Sequence, residues 1–431
     1  IKMEKLVFGG QGLGYLDGKA CFVWGALPGE EAEVELTKNK NNFAEGIVKK
    51  IIKPAKDRLP PKEDHYLSCS PWQIMNFAAE NKWKVEIAKE TYKKLGNIDY
   101  EKLSRSERDP AVAGEIVSDE NEYGYRNKME YSFTSPQPSP YKGEGVVLAF
   151  HVRESRQYIP IQVCELARPE INKVALDLLA WINENKIPLR SLKTIIIRCN
   201  QKGEVLAGLF LKDRLEFNNY PELKNNLVGL TIFYSTHKSP ASVPTAILYK
   251  VGQDYLEENL FGIKLRYGLF SFFQINIPVF KIALEDIKNF VTDQDAVVDY
   301  YCGVGAIGLS LGNKLKSLEL VESNLEAAEF AEQNTNLNIH CAPAEKMLDL
   351  ITTNKTIIFD PPRAGLDKRV VEKVLTELPK KIIYLSCNLA TQARDIGLLR
   401  EKYEINFLKL YNFFPRTAHI EGLAVLQVKG S

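Results

Sequence analysis

Cys387 lies in Leu385-Ser386-Cys387-Asn388, directly after the apolar run Ile382-Ile383-Tyr384-Leu385. A thiol at the C-terminal end of a buried strand is a candidate nucleophile. A packed, inert free cysteine is the commoner fate of this residue type, so the assignment rests on its neighbours. Phe414-Pro415-Arg416-Thr417-Ala418-His419-Ile420-Glu421 places ionisable groups in a loop just before the run Leu423-Ala424-Val425-Leu426. Another acid ends the run Thr356-Ile357-Ile358-Phe359, in Asp360-Pro361-Pro362-Arg363. A proline turn explains the two prolines but not an acid aimed out of the strand's C-terminal end, where open α/β sheets bind ligands.

The run Ala296-Val297-Val298 leads into Asp299-Tyr300-Tyr301-Cys302-Gly303-Val304-Gly305-Ala306-Ile307-Gly308. Glycines there let the backbone approach a ligand at the start of the next helix. Gly303, Gly305 and Gly308 satisfy GxGxxG, so a dinucleotide site and a purely structural turn both fit. Glu322 ends the following run, at about the twenty-residue spacing at which an acid meets ribose hydroxyls. Nicotinamide dinucleotides and S-adenosylmethionine both carry that ribose. The strand-end Asp299 and a complete C-terminal sheet favour S-adenosylmethionine. A thiol, a carboxylate base and a methyl donor are the parts needed to methylate an unactivated sp² carbon. Amino-group methyltransferases often follow the paired prolines with an aromatic residue that stacks on the base; Arg363 there speaks against exocyclic-amine methylation.

The elements that carry these residues fall into three textures. Up to about residue 55, short apolar–polar alternations punctuated by Gly9, Gly10, Gly12 and Gly14 read as a small β-barrel. Pro54, Pro60 and Pro61 mark a linker. Residues 56–265 mix a helical pattern around Trp83, Ile87, Thr91 and Leu95 with strand runs such as Thr194–Arg198 and Val205–Phe210, a central α+β unit. The proline-rich insert after Ser135 has loop composition. From 266 to 431, regular alternation of short apolar runs with helices reads as a doubly wound parallel sheet with covered faces.

Taken together, Phe272-Phe273-Gln274-Ile275-Asn276, the Tyr301–Gly305 loop, Asp360-Pro-Pro-Arg, Ser386-Cys-Asn and His419-Ile-Glu resemble the RNA (uracil-5-)-methyltransferase family. Gly9 to about Pro54 looks like a TRAM domain, an OB-like RNA-binding barrel. Arg126-Asn127-Lys128-Met129-Glu130 and Phe150-His151 resemble the family's central domain, so the likeness covers nearly the whole chain. The resemblance implies a Rossmann-like class I methyltransferase domain and 5-methyluridine as product. It implies a methyl-donor site of Gln274, Tyr301, Gly303, Gly305, Glu322 and Asp360, with Cys387 as nucleophile and Glu421 as general base. Cys387 would add to C6 of uracil, C5 would take the methyl group, and Glu421 would remove the C5 proton. Arg363 and Asn388 are candidate donors to the enolate oxygen. Many relatives hold a [4Fe-4S] cluster through C-x5-C-x2-C and a distant fourth cysteine. Here those places hold Glu63, Cys69, Trp72 and Cys164. Two thiolates cannot carry such a cluster, and no metal is expected.

Composition bounds the remaining possibilities. The chain has 431 residues, is 45% apolar and 26% charged, and carries a net charge of +1. RNA contact must therefore come from local basic surface, and Lys38, Lys40, Lys49, Lys50, Lys53, Lys56, Arg58 and Lys62 supply one stretch, which is otherwise a solvated face. Seven irregularly spaced cysteines suit a reducing cytoplasmic interior, and no apolar run suits a membrane span. A monomer acting on ribosomal or transfer RNA is expected. The rival readings are a nicotinamide-dependent oxidoreductase and a catalytically silent RNA-binding protein.

Overall fold

The computed structural model describes residues 1–104, 115–136, 145–312 and 315–430; most of the proline-rich insert, 137–144, lies outside them. Strands and helices are numbered in chain order. The N-terminal strands are β1 (Met3–Leu6), β2 (Gly12–Leu16), β3 (Lys19–Trp24), β4 (Glu31–Asn39) and β5 (Phe43–Lys53). They pair in the order β1-β2-β3-β5-β4. A bridge between Lys2 and Glu31 joins the first strand to the fourth, and Ala32 N–H donates to the Ile1 carbonyl at 2.9 Å. The ring closes around Met3, Cys21, Val23, Ala26 and Ala44, which leaves no unpaired edge. This is the small barrel the alternation predicts.

The linker carries α1 (Tyr66–Cys69) and leads to α2 (Phe77–Gly96), α3 (Tyr100–Ser104) and the short β6 (Ile116–Val117). Asn76 caps α2 by accepting from Ala79 N–H at 2.8 Å. The central sheet comprises β7 (Lys128–Thr134), β8 (Val147–His151), β9 (Tyr158–Ile161), β10 (Leu192–Cys199), β11 (Val205–Leu211), β12 (Leu227–Tyr234) and β13 (Ala246–Gly252). Its order is β13-β12-β11-β10-β7-β8-β9, and α4 (Pro169–Glu184) covers one face with Ile171, Val174, Leu178 and Ile182. Pro169 opens that helix, where its missing N–H costs nothing. A hairpin of β14 (Tyr255–Leu260) and β15 (Ile263–Gly268) follows.

The C-terminal sheet is built from β16 (Ala296–Tyr300), β17 (Ser317–Glu322), β18 (Ile339–Cys341), β19 (Lys355–Phe359), β20 (Lys381–Ser386), β21 (Tyr403–Tyr411) and β22 (Glu421–Val428). Helices α5 (Ile277–Lys288), α6 (Ala306–Ser310), α7 (Leu325–Asn334), α8 (Lys368–Glu377) and α9 (Leu389–Leu399) connect and cover it. The order is β18-β17-β16-β19-β20-β22-β21-β6. Strands β16 to β20 are parallel, and the central β16, β19 and β20 are mostly apolar, as burial on both faces requires. The strand order reverses between β16 and β19, the switch point at which doubly wound sheets bind ligands. β22 enters antiparallel between β20 and β21, so its first residue sits at the edge where the parallel strands end.

The helical segment from α2 to β6 follows the linker in sequence but packs on this last sheet rather than on the central one. β6 pairs with β21, and α2 crosses α9 where Gly96 and Gly397 bring the backbones together. This differs from the placement of that segment within the central unit. The tie is long-range, and local pattern carries no sign of it.

Candidate active site

Four strand ends meet at one edge of the C-terminal sheet. β16 turns through Tyr301, whose φ of +62° is unusual for a bulky residue, and then through Gly303 and Gly305 at +57° and +88°. Glycine fits such angles without the steric cost of a Cβ. Glu322, at the end of β17, accepts from Gly303 N–H at 2.9 Å and Asn324 N–H at 2.6 Å. Its carboxylate is therefore fixed beside the loop. Asp299 holds the loop from below: its Oδ2 accepts from Gly308 N–H at 2.8 Å, while its Oδ1 is buried without a partner. A Cβ on residue 308 would lie 2.9 Å from that Oδ2. Burial pushes the Asp299 carboxyl up to about 8.

Across the switch point, Gln274 Nε2 donates to Asp360 Oδ2 at 3.2 Å. The Gln274 carbonyl accepts from Asn127 Nδ2 at 2.9 Å, and buried Arg198 donates to the carbonyls of Gly268 and Ser271 at 2.7 and 2.5 Å. The central sheet thus holds the strap that presents Gln274. Asn127 lies in a segment the sequence singles out, yet its role and that of Arg198 carry no local signal. Burial raises Asp360 to about 7, with the Gln274 hydrogen bond opposing.

Ser386 pairs with Gly422 across β20 and β22, so Cys387 and Glu421 flank one another at the edge. Burial pushes the Cys387 thiol up to about 12, the Glu421 and Asp360 carboxyls add to the shift, and Arg363 opposes it. Glu421 is 2% exposed, and burial, followed by the nearby Asp360, drives its carboxyl well above the ordinary range. Asn388 accepts from Ala390 N–H at 3.1 Å to cap α9 and donates to the Arg363 carbonyl at 2.8 Å. Its oxygen and one amide N–H are engaged in building the site, which leaves the second Nδ2 proton for the expected role as a donor to the base. Arg363 is exposed, and its Nη2 lies 3.3 Å from His419 Nε2. Burial, then Arg363, holds that imidazole down at about 4, so it is neutral at neutral pH.

The loop from β21 to β22 is anchored by buried charges on α2 that sequence reading missed. Glu80 and Lys84 pair at 2.9 Å with both side chains wholly buried. Lys84 donates to Asn412 Oδ1 at 2.6 Å and to the Phe414 carbonyl at 3.0 Å. Glu80 accepts from Arg416 N–H at 3.0 Å, and the Arg416 guanidinium reaches the Met75 carbonyl at 2.6 Å. An i,i+4 ion pair on the apolar side of a helix was the available signal.

A cavity of about 400 Å³ opens where barrel, central sheet and this loop meet. Trp24, Arg126, Lys128, Phe150, Arg153 and His419 line it, and Arg153 lies 4.0 Å over the Trp24 ring. An aromatic and basic lining suits a stacked base and its phosphate. The basic stretch of the linker is divided. Lys49, Lys50 and Lys53 are exposed, whereas Arg58 is tied to buried Glu30 and donates to the Gly25 carbonyl at 2.7 Å. The expected cluster positions also separate. Trp72 is buried away from Cys69's partners, its indole donating to the Gly10 carbonyl at 3.0 Å, while His65, which the spacing pattern passes over, joins Glu63, Cys69 and Cys164.

This sheet, its glycine turn and its switch-point acids define an S-adenosylmethionine-dependent methyltransferase. The tRNA (Uracil-5-)-methyltransferase family matches residues 115–429 and the TRAM domain residues 1–49. The chain belongs to that family and is an RNA uracil-C5 methyltransferase. It is 29% identical over 462 residues to an uncharacterised RNA methyltransferase of Fusobacterium nucleatum, covering all of this chain and 95% of the relative. A similar protein of Caldanaerobacter subterraneus is 28% identical over 460 residues, covering 99% and 98%. The fold matches Pyrococcus abyssi tRNA (uracil-54, C5)-methyltransferase bound to S-adenosyl-L-homocysteine, with a TM-score of 0.76 over 99% of each chain at 23% identity. Family membership sets aside the nicotinamide reading. Among the described residues, no helix is long and apolar enough to cross a membrane.

Proposed function

We propose that the chain methylates C5 of a uridine in structured RNA, transfer or ribosomal, through a covalent bond between Cys387 and C6 of the base. The observation that carries this reading is the pairing of Ser386 with Gly422, which stands a thiol and a buried acid side by side at the edge where Asp360 also ends. The donor supplies a methyl group on a sulfonium, and Gln274, Tyr301, Gly303, Gly305, Glu322 and Asp360 are the residues that would hold it. The Cys387 thiol loses its proton and the sulfur adds to C6, moving the C5–C6 electron pair toward O4 as an enolate. Arg363, at the mouth of the edge beside His419, is the candidate donor to that oxygen. After C5 is methylated, Glu421 takes the C5 proton, the double bond re-forms, and sulfur leaves C6. Burial holds the Cys387 thiol up at about 12, so substrate binding must ease the loss of its proton before sulfur attacks.

RNA in which the target is 5-fluorouridine tests the proposal, because fluorine cannot leave C5 as a proton and the adduct persists. With donor present, the chain should form an SDS-stable protein–RNA complex. Cys387→Ala should abolish it and lower turnover by roughly four orders of magnitude, with donor affinity unchanged. An adduct that survives in Cys387→Ala would exclude this cysteine. Mass-spectrometric mapping of 5-methyluridine in transfer and ribosomal transcripts assigns the RNA.

A further inference from the structure

Some relatives of this family carry an iron–sulfur cluster at the place where the linker meets the central sheet, and these residues do not fit one. A [4Fe-4S] cube takes four thiolates; here Trp72 and Glu63 stand in two of the four places. What the fold assembles instead is a mixed set. One ligating atom from each of Glu63, His65, Cys69 and Cys164 lies within 4.8 Å of all the others.

We propose that Glu63, His65, Cys69 and Cys164 form a structural zinc site that binds one Zn²⁺ per chain. Two sulfurs, one imidazole nitrogen and one carboxylate oxygen are a donor set suited to tetrahedral zinc. Zinc bonds of about 2.0–2.3 Å place tetrahedral ligand atoms roughly 3.3–3.8 Å apart, a range within reach of atoms that all lie within 4.8 Å of one another. The His65 residue is 7% exposed and Cys164 is fully buried. His65 Nε2 is buried with no hydrogen-bond partner, although Glu63 Oε1 lies 3.1 Å away. That nitrogen, the Glu63 carboxylate and two cysteines outside any disulfide thus converge on one buried point.

The surroundings are built like the outer shell of a metal site. Glu63 Oε1 accepts from Glu165 N–H at 2.6 Å and Oε2 from Gln73 Nε2 at 2.7 Å. Cys164 is held on both sides by Asn172, whose amide spans its N–H and carbonyl at 3.1 and 3.0 Å. Two thiolates, one carboxylate and Zn²⁺ leave one negative charge, and the Arg126 guanidinium is close enough to interact with both sulfurs. Binding would displace the thiol protons to solvent. All four positions are filled by protein, so the site is structural and has no open place for a substrate. It would tie the linker, through Glu63, His65 and Cys69, to the central sheet at Cys164. The adjoining cavity of about 400 Å³ is lined by Cys69 and Arg126, so the site braces a wall of the cleft next to His419.

The test uses the full chain, purified anaerobically with a thiol reductant and without added metal. Elemental analysis should find about one zinc and far less than one iron per chain. The metal-stripped protein, titrated with Co²⁺, should develop sulfur-to-cobalt charge-transfer bands and the intense visible bands of a tetrahedral ion, saturating at one equivalent and bleached by Zn²⁺. Cys164→Ser, which leaves one thiolate, should cut the charge-transfer intensity by about half or more. Should that variant misfold, Glu63→Gln, which keeps the size of the side chain, should still weaken zinc by about tenfold or more. Protein that holds no zinc and gives no cobalt bands overturns the proposal. So does a content of about four irons, or wild-type zinc affinity in Glu63→Gln. None of these results bears on the uridine chemistry, which uses a different set of residues.

Discussion

The two halves of the active edge solve different physical problems. The donor half, around β16 and β17, is made of backbone: positive φ angles at Tyr301, Gly303 and Gly305, and a Glu322 carboxylate pinned by two main-chain N–H groups. The base half, around β20 and β22, is made of ionisable side chains whose pKa values are raised by burial and by neighbouring carboxyls. Shape is fixed in the first and latent charge is stored in the second. Substitutions should therefore separate them, with donor affinity reporting one half and covalent chemistry the other.

The sharpest separation is expected at Glu421. Glu421→Gln should still add to the ring and transfer methyl, but lose the base that completes the cycle. Turnover should fall by about 10²–10⁴, and a covalent complex with natural RNA should accumulate while donor affinity holds. Wild-type turnover in this variant would remove Glu421 from the mechanism and leave the base half unexplained.

Asp299 tests whether the donor half also stores charge. Its folded-state value of about 8 lies above the ordinary 3.8, so between those limits the folded chain binds more protons than the unfolded one. Its contribution is intact below about pH 4, falls as pH rises, and levels off above about 8. Asp299→Asn lacks this loss, and its melting temperature relative to wild type should climb by several degrees from pH 5 to pH 8 and then stay level. Parallel melting profiles across that window would show that the carboxyl ionises freely.

Gly303→Ala probes the backbone itself. An alanine at φ +57° costs about 1–2 kcal/mol, so donor affinity should fall about tenfold. Isothermal titration with S-adenosylhomocysteine measures this, and unchanged affinity would mean that the turn is not under the constraint described. The smallest effect belongs to Lys49, Lys50 and Lys53. Replacing all three with glutamine should weaken RNA binding a few-fold and flatten the salt dependence by about 0.7 for each phosphate no longer neutralised. An unchanged slope would make them a solvated face.

The same contrast explains what could be read from the chain. A site made of backbone writes itself into local sequence, because glycine adopts the required angles at least cost; Gly303 and Gly305 were visible for that reason, and the acid at 322 by its spacing from them. The alternation of apolar runs likewise fixed the parallel sheet, and glycine-punctuated strands fixed the barrel. The base half was visible only as reactive residue types at strand ends. Its supports were not: Glu80, Lys84 and Arg416 act across more than 300 residues, and a charge on a helix reads as solvated until the partner is known. The helix-capping part that Asn388 plays at α9 was not legible, because its partners Ala390 and Arg363 are brought to it only by the fold. His65 was passed over because a cysteine-spacing template looks for sulfur, whereas the fold brings together whatever donors face inward.

The insertion of β22 between β20 and β21 has a consequence for the order in which the enzyme becomes active during its synthesis. A nascent chain that has emerged only as far as β21 can already align β16 to β20 and shape the glycine turn. It lacks the strand that separates β20 from β21, and with it Glu421. On the mechanism proposed above, such a chain could hold a methyl donor but would lack the base that completes a turnover.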